Sequence, residues 1–410
     1  MSVTAASGFV AASGAIGIKA SDATDLALVA TADGRPVPAA AVFTQNLAAA
    51  APVQVSRSHL ATTGGMASAV LLTSGNANAA TGEEGLRAAL AMCQRAAQSI
   101  GSSPEEVLVC QTGLIGVPFP IDLVAPRVAA VLANRSAGEA AGAAAAEAIM
   151  TTDTVRKEAV AQGPVSASRA SGAAVGTAHA GGLTGRFTVG GMAKGAAMLA
   201  PNMATMLAVL TTDAMAEPPV LRAVLADAVE RSFNAITIDG CTSTNDTVVI
   251  LASGRAGPVV EADLAVAVQE VCTSLARQMV ADAEGATKVV TVRVAGAASD
   301  DEAHRAARRV ADSLLVKCSF NGADPYWGRV VSELGSAGVD FDMKRVSVSY
   351  GGTPVCVGGM AAPHDSAQVQ AHMAGRYVEL VCDLGLGSGE AAILTADLGY
   401  GYIDENRTTS

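Results

Sequence analysis

The 410-residue chain has few aromatic and few charged residues, at 3% and 16% of the total. Half of its residues are apolar, which excludes an intrinsically disordered chain. Because aromatic residues are scarce, the core must consist mainly of Ala, Val, Leu and Ile, and the 42 glycines permit tight turns. The length exceeds what one hydrophobic core usually serves, so we expect either two lobes or one large layered domain.

The chain also lacks an excess of basic residues. Its formal net charge of −11 argues against a nucleic-acid partner, because such binding depends on clustered Lys and Arg. The densest basic cluster is Arg305, Arg308 and Arg309, beside the acidic residues 300–302. We interpret it as a solvated helix face rather than a binding patch.

Long apolar runs and paired cysteines are missing as well. No segment reaches about 18 uninterrupted apolar residues, and the N-terminus has no basic start followed by a sustained apolar stretch. The seven cysteines are widely spread, with no C-x-x-C pair, which is typical of a reduced protein rather than a disulfide framework or zinc site. We therefore expect a cytoplasmic protein with no membrane partner.

The signatures of common enzyme classes are absent. The sequence contains no G-x-x-x-x-G-K-[ST], H-E-x-x-H or G-x-S-x-G, so it supports neither a P-loop, a zinc hydrolase nor a serine triad enzyme. The segment Gly385 to Gly389 only superficially resembles a dinucleotide loop, since Glu390 replaces the last glycine, and it predicts a hairpin turn. Surface or helix-capping positions are expected for the five histidines, His59, His179, His304, His364 and His372.

Strand-like and helix-like patterns are mixed along the whole chain, which predicts an α/β or α+β layered architecture. The stretch from Ala161 to Thr184 has no periodicity and is predicted to be a surface loop. Helices are predicted from Gly138 to Met150, after Pro218 and Pro219, and after a capping Asp263. Apolar runs predict strands at Leu26 to Ala30, Ala39 to Phe43, Ser68 to Thr73, Val107 to Gln111, Thr247 to Leu251, Val289 to Val294, Val346 to Tyr350 and Val378 to Asp383.

One segment suits self-cleavage. Residues 190–207 read G-G-M-A-K-G-A-A-M-L-A-P-N-M-A-T-M-L, and the simpler interpretation is a glycine-rich loop entering a buried strand. Alternatively, the Thr205 hydroxyl attacks the preceding Ala204 carbonyl, and hydrolysis of the resulting ester leaves Thr205 with a free α-amine. Such an amine has a reference pKa of roughly 7.7 to 8, so it can act as a base without histidine.

This segment resembles the cleavage motif of the ornithine acetyltransferase family, also called bifunctional glutamate N-acetyltransferase. The resemblance covers nearly the whole chain. It implies a layered sheet-and-helix sandwich similar to that of N-terminal nucleophile enzymes, with no metal or prosthetic group. It also implies cleaved fragments 1–204 and 205–410 that assemble as an α2β2 heterotetramer. The other matching stretches are 42–46 (VFTQN), 74–78 (SGNAN), 112–116 (TGLIG), 149–153 (IMTTD), 243–246 (STND), 284–288 (EGATK) and 324–329 (DPYWGR).

Carried over residue by residue, the resemblance implies cleavage between Ala204 and Thr205. It makes Thr205 the acetyl acceptor and gives the oxyanion hole to the Thr112 hydroxyl and the Gly113 amide. The simpler role for Thr112 is a strand-end cap.

The resemblance also implies substrate contacts at six positions. A lysine suits the carboxylate of an amino acid and a glutamate suits its amine. The simpler interpretation of Glu284 is a solvent-facing residue after a helix that ends near Ala283. Asn406 and Ser410 match the C-terminal contacts, although the tail is one residue shorter than is usual. The six positions are Thr151, Lys194, Thr205, Glu284, Asn406 and Ser410.

The implied reaction is a ping-pong transfer of acetyl from N2-acetyl-L-ornithine to L-glutamate in arginine biosynthesis. The residues do not decide whether acetyl-CoA is a second donor. Two alternatives stay open. One is a self-processing amidohydrolase or aminopeptidase, in which water accepts the acyl group, although related hydrolases tend to use Ser as the nucleophile. The other is an uncleaved binding or scaffold protein.

Overall fold

The computed structural model describes residues 2–20, 22–165, 185–198 and 206–408. The chain divides into two compact units. The first consists of Met1–Gly195, Asn202–Phe233 and Thr242–Ala276, and the second of Ala196–Pro201, Asn234–Cys241 and Arg277–Ser410.

Strands and helices alternate along the described residues, which confirms the predicted mixed α/β class. The strands are β1 Phe9–Gly14, β2 Leu26–Thr31, β3 Val37–Phe43, β4 Met66–Ala67, β5 Ala69–Asn76, β6 Val107–Leu114, β7 Lys157–Pro164, β8 Arg186–Lys194, β9 Leu207–Met215, β10 Ile236–Thr237, β11 Thr247–Pro258, β12 Val289–Ala297, β13 Ser347–Tyr350, β14 Thr353–Val357, β15 Met360–Ala361, β16 Tyr377–Asp383 and β17 Gly389–Ala396. The helices are α1 Ala51–Thr62, α2 Gly82–Ile100, α3 Ile121–Leu132, α4 Glu139–Ala148, α5 Pro218–Glu230, α6 Glu261–Ala281, α7 Asp300–Asp312, α8 Leu314–Asn321, α9 Trp327–Gly335, α10 Ser366–Ala374 and α11 Tyr400–Asn406.

The first unit contains two sheets, with strand orders β1-β2-β5-β6 and β4-β3-β11-β9-β8-β7. Side chains alternate across a strand, so β2 contributes to two cores. Leu28 belongs to a buried cluster with Met92 of α2 and Val128 of α3. Its neighbour Val29 belongs to another cluster, with Val209 of the second sheet. The four-stranded sheet therefore has helices on one face and the six-stranded sheet on the other.

Helices cover the outer face of the six-stranded sheet. Helix α5 packs against β3, and a side chain on Gly191 of β8 would lie 2.7 Å from Val271 and 3.1 Å from Leu275, both on α6. The close approach of α6 explains why glycine occupies this strand position. The four layers make the first unit a sheet-and-helix sandwich, as expected.

The predicted cleavage point lies between two strands that pair with each other. Strand β8 precedes residue 204, β9 follows residue 205, and the two are antiparallel neighbours from Lys194 opposite Leu207 to Val189 opposite Thr212. Strand β9 also pairs in parallel with β11. The six-stranded sheet thus draws strands from both sides of the predicted cleavage point.

The second unit contains a seven-stranded sheet of order β10-β17-β12-β16-β13-β14-β15. Val292 of β12 shares a buried core with Ala307 of α7 and Phe320 of α8. Because β12 lies between β16 and β17, the segment Gly385 to Gly389 crosses over a strand, and the predicted hairpin is wrong. Glycine is needed there because a side chain on Gly387 would approach the Ala297 carbonyl oxygen to 2.5 Å.

Two other local predictions are corrected. Residues 161–164 belong to β7, paired with 186–189 of β8, so they are not loop, and 166–184 lie outside the described residues. Helix α6 begins at Glu261, which puts Asp263 in its first turn, where an acidic residue also suits the helix dipole.

The expected surface positions hold for some of the polar residues. His364 is exposed, whereas His59 on α1 is 5% exposed, with Nδ1 2.8 Å from the Val107 carbonyl oxygen. His179 lies outside the described residues. In the basic cluster Arg308 donates to the Asn234 and Ile236 carbonyls at 2.6 and 2.9 Å, so it is not wholly solvated.

Candidate active site

The two predicted oxyanion residues lie near the carboxyl end of β6, where Thr112 is buried and Gly113 is exposed. Strands β5 and β6 are parallel, with Ser74 opposite Thr112 and Gly75 opposite Gly113. Gly113 has a φ of +133°, and a side chain there would lie 2.2 Å from the Gly75 carbonyl carbon. Only glycine fits this close approach. The Gly113 amide is therefore held in an orientation that another residue type would disturb.

Lys194, the last residue of β8, lies beside Thr112. Its Nζ donates to the Thr112 Oγ1 at 3.4 Å and is 3.8 Å from the Asp153 Oδ2. Lys194 and Thr112 are each 3% exposed. The structure thus brings together two predicted site residues that are far apart in sequence.

Asp153 binds several other groups near Lys194. We call these residues together the Asp153 cluster: Thr151, Asp153, Lys157, Lys194 and Gly195. Its Oδ1 accepts from the Lys157 Nζ and from the Gly195 backbone N, both at 2.7 Å. Its Oδ2 accepts from the Thr151 backbone N at 3.1 Å. The Thr151 side chain itself is exposed, so Thr151 is tied to the cluster through its backbone.

The charges in the Asp153 cluster favour an ionised carboxylate. Burial alone would raise the pKa of Asp153, but the charges of Lys194 and Lys157, together with the hydrogen bonds from Lys157 and Gly195, lower it to about 2. One carboxylate faces two ammonium groups, so the formal charge of the cluster is positive. Such a site suits an anionic group, for example the carboxylate of an amino acid.

Glu284 and Asn406, both in the second unit, form their own contact. The Asn406 Nδ2 donates to the Glu284 Oε2 at 2.7 Å and to the Tyr402 carbonyl at 2.9 Å. Glu284 is 8% exposed, so the simpler interpretation of a solvent-facing residue is wrong. Gly285 has a φ of +63°, and α11 lies against it, since a side chain there would be 2.1 Å from the Tyr402 N. This packing places Asn406 beside Glu284.

Three predicted site residues, Ala204, Thr205 and Ser410, lie outside the described residues. The first described residue after Thr205, Met206, donates its backbone N–H to the Asp246 Oδ1 at 2.8 Å. The adjacent Asn245 donates from Nδ2 to the Ala77 and Gln111 carbonyls at 2.6 and 2.8 Å.

No individual role was predicted for Asp153, Lys157, Asn245 or Asp246. Asp153, Asn245 and Asp246 end two of the matching stretches, which is the one signal that could have singled them out. Their partners are distant in sequence, so their roles emerge only from the fold.

Within the described part of the chain, no group of three or more His, Cys, Asp or Glu side chains is arranged to hold a metal ion. No helix built from the described residues is long and apolar enough to cross a bilayer. The cysteines are all free thiols.

Comparisons with known proteins show the family of the chain. The model of the ArgJ family matches residues 10–408. The chain belongs to the ArgJ family. An arginine biosynthesis bifunctional protein ArgJ of Mycobacterium bovis is 44% identical over 414 residues, covering 100% of this chain and 96% of the relative. The protein of the same name from Thermobifida fusca is 43% identical, covering 100% of both chains.

Among solved structures, the chain is similar to an ornithine acetyltransferase from Mycobacterium tuberculosis complexed with ornithine. That protein is 40% identical, and the match covers 49% of this chain and 94% of the other, with a TM-score of 0.40. Membership of the ArgJ family confirms the resemblance drawn from the sequence motifs and identifies the chain as an enzyme.

Proposed function

We propose that this ArgJ-family enzyme is an ornithine acetyltransferase. It moves the acetyl group of N2-acetyl-L-ornithine to L-glutamate and so produces ornithine and N-acetylglutamate for arginine biosynthesis. Matches over the full chain to relatives named for arginine biosynthesis support this activity. The observation that carries the proposal is the buried contact of Lys194 with Thr112 and Asp153 at the strand ends.

The first step is self-cleavage. The Thr205 hydroxyl attacks the Ala204 carbonyl carbon, the peptide C–N bond breaks, and the Thr205 nitrogen takes up a proton, which leaves an ester. Water then hydrolyses the ester, so that fragment 1–204 gains a carboxylate and fragment 205–410 begins with a free amine. The amine and the hydroxyl both belong to Thr205, so the amine is close enough to serve as the general base.

The second step is transfer through an acetyl-Thr205 ester. The Thr205 hydroxyl attacks the acetyl carbon while its amine takes the hydroxyl proton, and ornithine leaves with that proton on its nitrogen. The Thr112 hydroxyl and the Gly113 N–H stabilise the oxyanion, and each such donor is worth about 10² to 10³ in turnover. The glutamate amine then attacks the ester and restores the free hydroxyl.

The proposed substrate contacts are those that the family resemblance implies, and charge supports two of them. Lys194 holds the α-carboxylate within the positive Asp153 cluster, and Glu284 holds an amine of ornithine. Thr151, Asn406 and Ser410 complete the contacts. Fixing both ends of the amino acid orients it for attack, an effect that contributes a large part of many rate enhancements.

The proposal extends to assembly and location. Since β8 and β9 are paired neighbours, the two fragments would expose unpaired strand edges if they separated. We therefore expect them to stay together and to associate further as an α2β2 heterotetramer in the cytoplasm. The mechanism needs no metal or prosthetic group.

A cleavage assay tests the proposal. Denaturing electrophoresis and intact-mass analysis of the purified protein are expected to give two fragments, the second beginning at Thr205. The Thr205→Ala variant is expected to stay whole and inactive, while Thr205→Ser retains cleavage because it keeps the hydroxyl. An unbroken wild-type chain, or a second fragment that begins elsewhere, contradicts the mechanism.

Kinetics separate transfer from hydrolysis. Ornithine release from N2-acetylornithine is expected to depend on glutamate, whereas a hydrolase would release ornithine at the same rate without it. A second assay concerns acetyl-CoA as an acetyl donor. The relatives are named bifunctional, so we extend the proposal to acetyl-CoA as a second acetyl donor. Incubation with acetyl-CoA and glutamate, in the absence of acetylornithine, is expected to form N-acetylglutamate.

A further inference from the structure

Two consecutive residues, Asn245 and Asp246, lie directly before β11 and contact two separate elements of the first unit. Strand β11 pairs in parallel with β9, starting at Thr247 opposite Leu207. The residue beside Asp246 is therefore Met206, which follows Thr205 in the sequence. This register puts a carboxyl group next to the peptide that carries the proposed nucleophile.

The contacts of Met206 fix both of its backbone polar groups. Its N–H donates to the Asp246 Oδ1 at 2.8 Å, and its carbonyl accepts from the Thr247 N at 3.2 Å. The Asp246 carbonyl in turn accepts from the Thr44 N at 2.9 Å. The nitrogen that Asp246 binds is joined covalently to the carbonyl carbon of Thr205, so this contact acts on the Thr205–Met206 peptide bond itself.

Burial favours the neutral form of Asp246. The residue is 0% exposed, and in the described part of the chain its Oδ2 has no hydrogen-bond partner. Burial raises the pKa of Asp246 well above its ordinary value, and the Met206 N–H, the Ser243 side chain and the charge of Lys194 oppose that shift without cancelling it. A buried carboxylate with one unpaired oxygen would be costly, which agrees with a neutral carboxyl group that accepts the Met206 N–H through Oδ1.

Asn245 makes a similar contact with the strand that carries the proposed oxyanion residues. Its Nδ2 donates to the carbonyls of Ala77 and Gln111, and Gln111 directly precedes Thr112. One short segment thus binds the residue before the proposed oxyanion donors and the residue after the proposed nucleophile.

We propose that Asp246 is a positioning residue, which accepts the Met206 N–H and so fixes the peptide after Thr205 relative to the strand that carries Thr112 and Gly113. The inference rests on the proposed function, because it gives Thr205 the role of nucleophile. Asp246 acts through the backbone rather than by touching substrate. It is therefore needed for the rates of cleavage and transfer, and not for substrate affinity.

Two variants of Asp246 separate its hydrogen bond from its charge. Asp246→Asn keeps an acceptor at Oδ1 and matches the neutral carboxyl group, so cleavage and kcat are expected to stay within about threefold of wild type. Asp246→Ala leaves the Met206 N–H unpaired, and displacement of a reacting group by about 1 Å can cost on the order of 10² in rate. We expect cleavage and kcat to fall at least about tenfold, with KM for acetylornithine within about twofold.

Asp213 provides a matched control. It is also a buried aspartate, lies further along β9, and accepts the backbone N–H groups of Ser7 and Thr188 at 3.1 and 2.7 Å. It is roughly 20 Å from Met206 at the rise of a strand. Asp213→Ala is expected to lower the melting temperature but to keep the wild-type cleavage and kcat. Where Asp246→Ala does not fold, Asp246→Val fills the same space without an acceptor and takes its place.

The outcomes distinguish this inference from the proposed function. A wild-type chain that stays whole overturns both. If the wild type is cleaved at Thr205 and Asp246→Ala matches its cleavage and kcat, the positioning role alone is wrong. A defect in Asp246→Asn as large as in Asp246→Ala also overturns it, since the acceptor would then not be what matters.

Discussion

Replacing Asp153 by Asn tests the electrostatics of the Asp153 cluster. The side chain of Asp153 is fully buried, as is that of its partner Lys157, and Lys194 lies 3.8 Å away. The amide keeps the size of the carboxylate but removes its charge. The two buried ammonium groups would then lose the carboxylate that both of them face.

The expected loss of stability in Asp153→Asn can be bounded from the pKa of Asp153 and from the usual cost of breaking a buried ion pair. Relative to the ordinary value of 3.8, a pKa of about 2 corresponds to about 2 kcal/mol of stability at neutral pH. Breaking a buried ion pair from one side typically costs about 3 to 5 kcal/mol in all, because the remaining charge is left uncompensated. For a unit of this size we expect the apparent melting temperature of Asp153→Asn to fall by roughly 10 °C.

The pH dependence has a definite sign. The pKa of Asp153 is lower in the folded protein than in the unfolded chain, so its stabilisation is complete above the unfolded value and is lost as pH falls through the folded value of about 2. The difference in stability between wild type and Asp153→Asn is therefore expected to be constant from pH 7 to about pH 5 and to narrow below about pH 4.

Thermal unfolding of the wild type, Asp153→Asn, Lys157→Met and the double variant provides the assay. The double variant removes one charge of each sign, so it is expected to recover part of the loss, with a coupling on the order of 1 to 3 kcal/mol. Asp227→Asn is the matched control, since its ion pair with Arg231 at 3.0 Å is exposed and worth at most about 1 kcal/mol. An Asp153→Asn variant that melts within about 2 °C of wild type, or a double variant no more stable than the single one, would show that the buried charges are not coupled in this way.

Two further predictions concern the backbone at Gly113 and the C-terminal contact. Gly113→Ala is expected to reduce turnover by about 10² or more, because its side chain would collide with Gly75 and displace a proposed oxyanion donor. Gly116→Ala is the control, as Gly116 has a φ of +80° with open space around it; equal losses in both variants would contradict the argument. Asn406→Ala removes the hydrogen bond to Glu284 and is expected to raise KM for acetylornithine about tenfold, the effect of roughly 1.4 kcal/mol, with kcat little changed. Asp404→Ala, on the same helix, leaves KM unaltered, and an Asn406→Ala variant with wild-type KM would contradict the substrate contact.

The elements that the sequence predicted well are those in which local composition is sufficient. Strands β2, β5, β6, β12 and β16 are short apolar runs, and α5 begins at the predicted Pro218, because proline suits the first turn of a helix. The predicted hairpin at Gly385 failed because strand order is a non-local property. The end of β7 was missed because residues 161–164 (AQGP) become a strand only by pairing with β8.

The candidate site likewise contains residues that the sequence predicted and contacts that only the fold shows. Family motifs predicted Thr112, Lys194, Glu284 and Asn406 as site residues. The fold shows that Lys194 contacts Thr112 and that Asn406 contacts Glu284. Sequence patterns gave no reason to expect a buried His59, since its partner, the Val107 carbonyl, lies on a strand 48 residues away. The histidine was misplaced because burial depends on the strand that packs beside its helix.

The sequence by itself determined the class of the chain, the family to which it belongs and the threonine on which its proposed chemistry depends, because covalent chemistry requires particular residue types in a particular order. The tertiary structure alone decided that Asp153 would join the Gly195 amide, 42 residues away, to two lysines, and that Asp246 would bind the peptide after Thr205. The physical reason is that hydrogen bonds and buried charges act over a few ångströms of space, and only folding brings distant parts of a chain within that range.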